Sequence, residues 1–98
     1  MEIEIVHEQH ETDGEFLIEN ADGENAGSLF YTKFGSGRIT IQHTEVSHEL
    51  QGTGASTKLI DAVAEFARSQ NIKIVPVCPF AKGYMHKKKE KYGDVLVD

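Results

Sequence analysis

The hydrophobic period of this chain changes from strand to helix around Gly52 and Gly54, and that change limits the fold more than any other feature. Before it, apolar residues alternate at two, the period of a half-buried strand. Glu2-Ile3-Glu4-Ile5 opens the pattern, and Glu15-Phe16-Leu17-Ile18-Glu19 forms a second run, with Asp13-Gly14 expected as the hairpin turn between them. Asn20-Ala21-Asp22-Gly23 is the next turn, Ala26 to Phe34 a third strand, and Phe34-Gly35-Ser36-Gly37 a third turn. Arg38 to Val46 is a fourth strand, read with Ile39, Ile41 and His43 on one face. Four strands joined by short turns make an antiparallel meander.

After the change the period is helical. From Gly54 to about Gln70, Leu59, Ile60, Val63, Phe66 and Ala67 recur at three- and four-residue spacing, while Asp61, Glu65 and Arg68 fall outside that stripe, toward solvent. Asn71 is the expected stop, because asparagine tolerates the left-handed region. Ile72 to Val77 reads as a fifth strand whose Pro76 argues against pairing on both sides. A short helix over Ala81–Lys89 and an extended piece at Val95-Leu96-Val97 complete the chain. The reading is one α/β (α+β) domain over residues 1–98. It has a mixed, mostly antiparallel sheet and one principal helix between strands four and five. That strand–helix–strand unit makes strands four and five parallel, so the loops at their carboxyl ends face one crevice. Chemistry is therefore sought at residues 43–56 and 76–86.

Composition narrows the function classes. With 98 residues the chain has room for one core. No apolar run approaches the ~18 residues of a membrane span, and the acidic opening Met1-Glu2-Ile3-Glu4 does not read as a signal or transit peptide. The single cysteine allows no internal disulfide, so a cytoplasmic protein is expected, with a monomer favoured. Net charge is −6, with nine acids and no Lys or Arg in residues 1–24, and five lysines in residues 82–91. Such a balance repels a polyanion as a whole while the lysine run is able to hold one; general nucleic-acid binding is not expected, and neither is a membrane partner. The five histidines show no four-ligand spacing, and no metal is expected.

Gln51-Gly52-Thr53-Gly54-Ala55-Ser56 lies between strand four and the main helix. Two glycines with small neighbours let backbone N–H groups approach an anion at a helix N-terminus. It is neither a dinucleotide fingerprint nor a P-loop; as a fold element alone it is a tight turn capped by Thr53 or Ser56.

The run from His43 to Leu59, together with Ile72–Val77, resembles the GCN5-related N-acetyltransferase (GNAT) superfamily, whose pyrophosphate loop reads Gln/Arg-x-x-Gly-x-Gly/Ala. Gln51 and Gly54 fall on its first and fourth positions, and Ser56 stands at its last. The chain is similar over most of its length to the very small, single-domain branch of predicted acetyltransferases. His43-Thr44-Glu45-Val46, the Gly52-x-Gly54 loop, Ala67-Arg68 and Pro76-Val77-Cys78-Pro79-Phe80 carry that similarity. The resemblance implies acetyl-CoA as acyl donor and an amine acceptor, on a minimal GNAT-like fold. The pantetheine is implied to lie between strands four and five, against Thr44, Glu45 and Val46 on one side and Cys78, Pro79 and Phe80 on the other. The pyrophosphate is implied to lie on Gln51, Gly52, Thr53, Gly54, Ala55 and Ser56, and Lys82 is expected at the phosphates with one or more of Lys87, Lys88 and Lys89.

The helices that larger relatives insert between their first two strands are missing, which leaves the acceptor unidentified. His43 is the candidate base, since imidazole titrates near neutrality. Cys78 is the candidate nucleophile if an imidazole lowers its pKa. Tyr84 is the candidate acid for the departing thiolate, a role that the resemblance implies for a tyrosine after strand five. Direct transfer and an acetyl-Cys78 intermediate both remain open, with direct transfer preferred. Two rival readings are a CoA-binding module without turnover, and an interaction protein that uses its acidic first half and basic tail.

Overall fold

The computed structural model describes residues 3–35 and 37–97. Met1, Glu2, Ser36 and Asp98 lie outside the described residues, and with them part of the expected first strand and of the third turn. Strands β1 (Glu4–Gln9), β2 (Asp13–Glu19), β3 (Asn25–Phe34) and β4 (Arg38–Val46) form the antiparallel meander. Helix α1 (Ala55–Gln70) then crosses to β5 (Lys73–Pro76), which pairs parallel with β4. Sheet order is β1-β2-β3-β4-β5. Helix α2 (Pro79–Lys87) and the single turn α3 (Lys89–Tyr92) follow. Leu96 adds one parallel bridge to Ile74, so the expected last extended piece is a single contact on the far side of β5. The free far edge of Pro76 agrees with a proline that cannot donate to a second ladder. No helix among the described residues is long and apolar enough to cross a membrane.

The first hairpin turn falls elsewhere than expected. It spans residues 10–12, closed by the His10 amide on the Asp13 carbonyl, while Asp13 and Gly14 already belong to β2. Gly14 is a packing glycine: a Cβ there would collide with the Tyr31 phenol across the sheet. The Asn20–Gly23 turn forms as expected, with Asn20 Oδ1 accepting from the Asp22 and Glu24 amides and Gly23 at φ 79°.

One face of the sheet carries the core. Phe16, Ile18, Leu29, Tyr31, Ile39, Ile41 and Ile74 meet Leu59, Ile60, Val63, Ala64 and Ala67 of α1, and Ala81, Met85 and Tyr92 of α2 and α3 close the same cluster. Asn71 stops α1 at φ 58°, its amide and that of Ile72 returning to the Arg68 and Ala67 carbonyls. Asp61 and Arg68, expected to be plain solvent-facing residues, hold the C-terminal segment. Tyr92 donates to Asp61 at 2.6 Å, and Arg68 donates to Asp94 and to the Lys91 carbonyl. Among the described residues the opposite face carries no helix, and none of its strand residues is buried.

Candidate active site

The crevice begins at an extra residue. In the β3–β4 ladder Tyr31 faces Ile41 and Phe30 faces His43, so Gln42 is an unpaired bulge. A bulge inverts the alternation after it. Ile39 and Ile41 point into the core, Gln42 and His43 are exposed, and Thr44 and Val46 return to the core side. The expectation that His43 shares the face of Ile39 and Ile41 is therefore corrected: period-two counting carries no information about an inserted residue. The last β4–β5 pair is Ile41 with Pro76, and the Ile41 carbonyl accepts from both Val77 and Cys78 at 3.0 Å. Beyond that point β5 turns into α2 while β4 runs on to Val46, and the two diverge. Val77 and Phe80, both large and exposed, lie at the mouth of this gap.

Cys78 is the residue that caps α2, with Pro79 at the first helical position, where its missing N–H costs nothing. Its side chain is 7% exposed. Burial pushes the thiol pKa up, but the Ala81 amide, the Thr44 hydroxyl and the backbones of Phe80 and Thr44 outweigh it, and the net shift is downward. Thr44 Oγ1 is buried and completes no well-aligned hydrogen bond of its own. The groups that act on the thiol are thus Thr44 and the first turn of α2. Among the described residues no hydrogen bond or ion pair joins His43 to Cys78. Tyr84 stacks on Phe80 at 6.0 Å, tilts against Tyr92 at 5.9 Å and lies under the Lys88 ammonium.

At the other end of the crevice, the 3-10 turn His48–Leu50 anchors buried Leu50 and delivers the glycine loop. Gly52 and Gly54 sit at φ 82° and 87°, the left-handed region where other residues are strained. Gly54 caps α1 with no side-chain hydrogen bond, and no acid occupies the first turn. Thr53, one of the two expected caps, instead donates its hydroxyl to the Leu50 carbonyl at 2.5 Å, and Ser56, the other, makes no cap bond. The amides of Ala55, Ser56 and Thr57 consequently have no partner among the described residues and point out of a positive helix end. A Cβ on Gly52 or Gly54 would meet no protein atom within 4 Å, so the space in front of the loop is open. Gln51 is exposed beside it, Glu45 is exposed on β4, and Lys82 is exposed on α2.

The sequence pattern missed two contributors to this site. The Gln42 bulge leaves no periodic signal. The Asp61–Tyr92 and Arg68–Asp94 contacts, which hold the wall bearing Cys78, join positions 31 and 26 residues apart.

The model of the GCN5-related N-acetyl-transferase family matches residues 15–95. Among solved structures, the solution structure of a GCN5-like candidate N-acetyltransferase from Staphylococcus aureus is 36% identical. That match covers 94% of this chain and 87% of that one, with a TM-score of 0.73. Tetrahymena GCN5 shares 18% identity over 81% of this chain, at a TM-score of 0.67. A GNAT family acetyltransferase from Elizabethkingia anophelis, solved with acetyl-CoA bound, shares 17% over 79%, at 0.64. The last two show the fold, and this chain spans about half of their length (51% and 52%). The search among curated proteins returned no match.

Proposed function

The chain belongs to the GCN5-related N-acetyltransferase family, and we propose that it transfers the acetyl group of acetyl-CoA to an amine. The observation that carries this reading is the unpartnered N-terminus of α1 behind a two-glycine loop, opening onto the gap where β4 leaves β5. A pyrophosphate fits such an end, since free amides and the helix dipole both favour negative charge. Lys82 adds a cation on the α2 side. The pantetheine would lie along residues 42–46 of β4, which have no β5 partner, with the thioester beside Thr44, Cys78, Pro79 and Phe80.

In direct transfer the amine nitrogen bonds to the acetyl carbon, the carbon–sulfur bond breaks, and CoA leaves as thiolate. His43, exposed on β4, takes the proton that the amine must lose. Tyr84 is assigned as donor to the thiolate on the resemblance alone, because its ring is occupied by Phe80 and Tyr92.

A second route has its own support in the lowered Cys78 pKa. The Cys78 thiolate bonds to the acetyl carbon and expels CoA thiolate, and the amine then attacks the Cys78 thioester.

Titration with acetyl-CoA, followed by amide NMR, tests the binding site: shifts at residues 51–57 and 78–82 are expected, and shifts that avoid both segments overturn it. Intact mass after incubation separates the routes. An acetyl adduct that disappears in Cys78→Ala establishes the covalent route. Turnover in Cys78→Ala at a reduced rate, without an adduct in the native protein, establishes direct transfer.

A further inference from the structure

Among the described residues nothing covers the face of the sheet opposite the helices, and its composition is specific. Glu4 faces Glu19 and Glu8 faces Glu15 across β1 and β2, two carboxylate pairs on one surface. Like charges directly opposite each other destabilise a sheet, and among the described residues no cation pairs with any of the four. Midway between the pairs, Val6 faces Leu17, both half-buried. Phe30, diagonal to Leu17 on β3, extends this apolar centre. One row of the register, Glu8–Glu15–Phe30–His43, runs from the β1 edge to the crevice. Where that row's neighbours end, residues 25–28 and 45–47 line an open cavity of about 450 Å³. Glu45 stands on the same face two residues beyond His43, while the cations of this face, Arg38 and its β5 partner Lys73, sit at the far end of the strands.

We propose that this face docks a basic amphipathic helix of a protein acceptor and so presents a lysine amine to the crevice past His43. The inference rests on the acetyl-transfer reading for its last step, and on the sheet face alone for docking. Geometry selects the occupant. The two glutamate pairs are four residues apart, about 14 Å along the strands, a span bracketed by cations about seven and about eleven residues apart on one face of a helix. The apolar centre between them requires apolar side chains between those cations. A small polyamine meets the charges but not the apolar centre. A second copy of this chain offers its lysine run 82–91, but Met85 of that run is buried in its own core and Tyr84 is half-buried against Phe80 and Tyr92.

The test uses an amphipathic lysine–leucine peptide, a glutamate–leucine peptide of the same length, and spermine, each titrated into the whole chain with amide NMR. Shifts at Val6, Leu17, Phe30 and Glu45 are expected for the first peptide and not for the second. In the double variant Glu8→Lys, Glu15→Lys, which replaces one like-charge pair by another, binding of the first peptide should weaken at least about tenfold, with acetyl-CoA shifts at residues 51–57 unchanged. Equal affinity in that variant, shifts confined to α1 and α2, equal binding of spermine, or self-association that protects this face each overturns the proposal. Peptide docking without acetyl-CoA binding would retain the surface and overturn the function proposed above; the converse would do the opposite.

Discussion

His7 is the residue whose environment departs furthest from its sequence context. On β1 it lies on the core side, stacked on Phe16 at 3.9 Å, edge-on to Phe66 at 4.5 Å, and sharing a 2.6 Å hydrogen bond with the Tyr31 hydroxyl. Burial and, secondarily, the Lys33 charge hold its pKa below 6.5. The native state therefore prefers neutral imidazole, and the unfolded chain binds the proton more readily. Stability is full above about pH 6.5 and falls as pH drops from there toward the folded pKa, below which no further loss is expected from this group. Thermal melts between about pH 7.5 and 5 should show this decline, and His7→Phe should flatten it. A slope unchanged in His7→Phe would assign the decline to another group. Tyr31→Phe, which removes one shared hydrogen bond, should cost about 1 kcal/mol.

At the scale of elements, α1 separates two roles along its length. Its apolar stripe is structural: Leu59 is fully buried, and Leu59→Ala should cost about 2–5 kcal/mol in denaturant melts. Its N-terminus is conformational. Gly54 at φ 87° with open space around it faces no clash from a side chain, only the left-handed strain of about 1–2 kcal/mol. Gly54→Val should therefore leave a folded protein with a melting temperature lowered by about 4–16 °C and no measurable acetyl-CoA affinity by calorimetry. Native affinity in Gly54→Val would place the phosphates away from this loop. The β4 bulge is the corresponding device in the sheet, since one inserted residue exposes His43 and brings Thr44 to the Cys78 thiol.

In the whole molecule, a five-stranded sheet is half-covered, and its C-terminal segment is clasped to α1. Burial and the Asp61 hydrogen bond push the Tyr92 hydroxyl pKa well up, and Arg68 holds the Asp94 carboxyl below the usual range. These contacts fix the α2–α3 segment, and with it Cys78 and Lys82, against the rest of the fold. Tyr92→Phe should cost about 1 kcal/mol, lowering the melting temperature by about 4–8 °C for a domain of this size. Hydrogen exchange should rise first over residues 79–92 while β2 and β3 stay protected. A uniform rise instead would mean that the clasp and the sheet open together.

The sequence alone determined the meander, the single long helix and its stop at Asn71, and the parallel pairing of strands four and five. Each depends on local periodicity or on a backbone preference carried by one residue. It also located the glycine loop and the crevice segments, because the crossover rule places both strand ends on one side. Three features were decided only by tertiary structure. Gly14, read as a turn residue, answers to Tyr31 on another strand. The face of His43 depends on a bulge defined by pairing with β3. The thiol of Cys78 answers to Thr44 and to the amides of its own helix rather than to an imidazole. Periodicity records how a residue relates to its neighbours in the chain, whereas each of these is set by a neighbour in space.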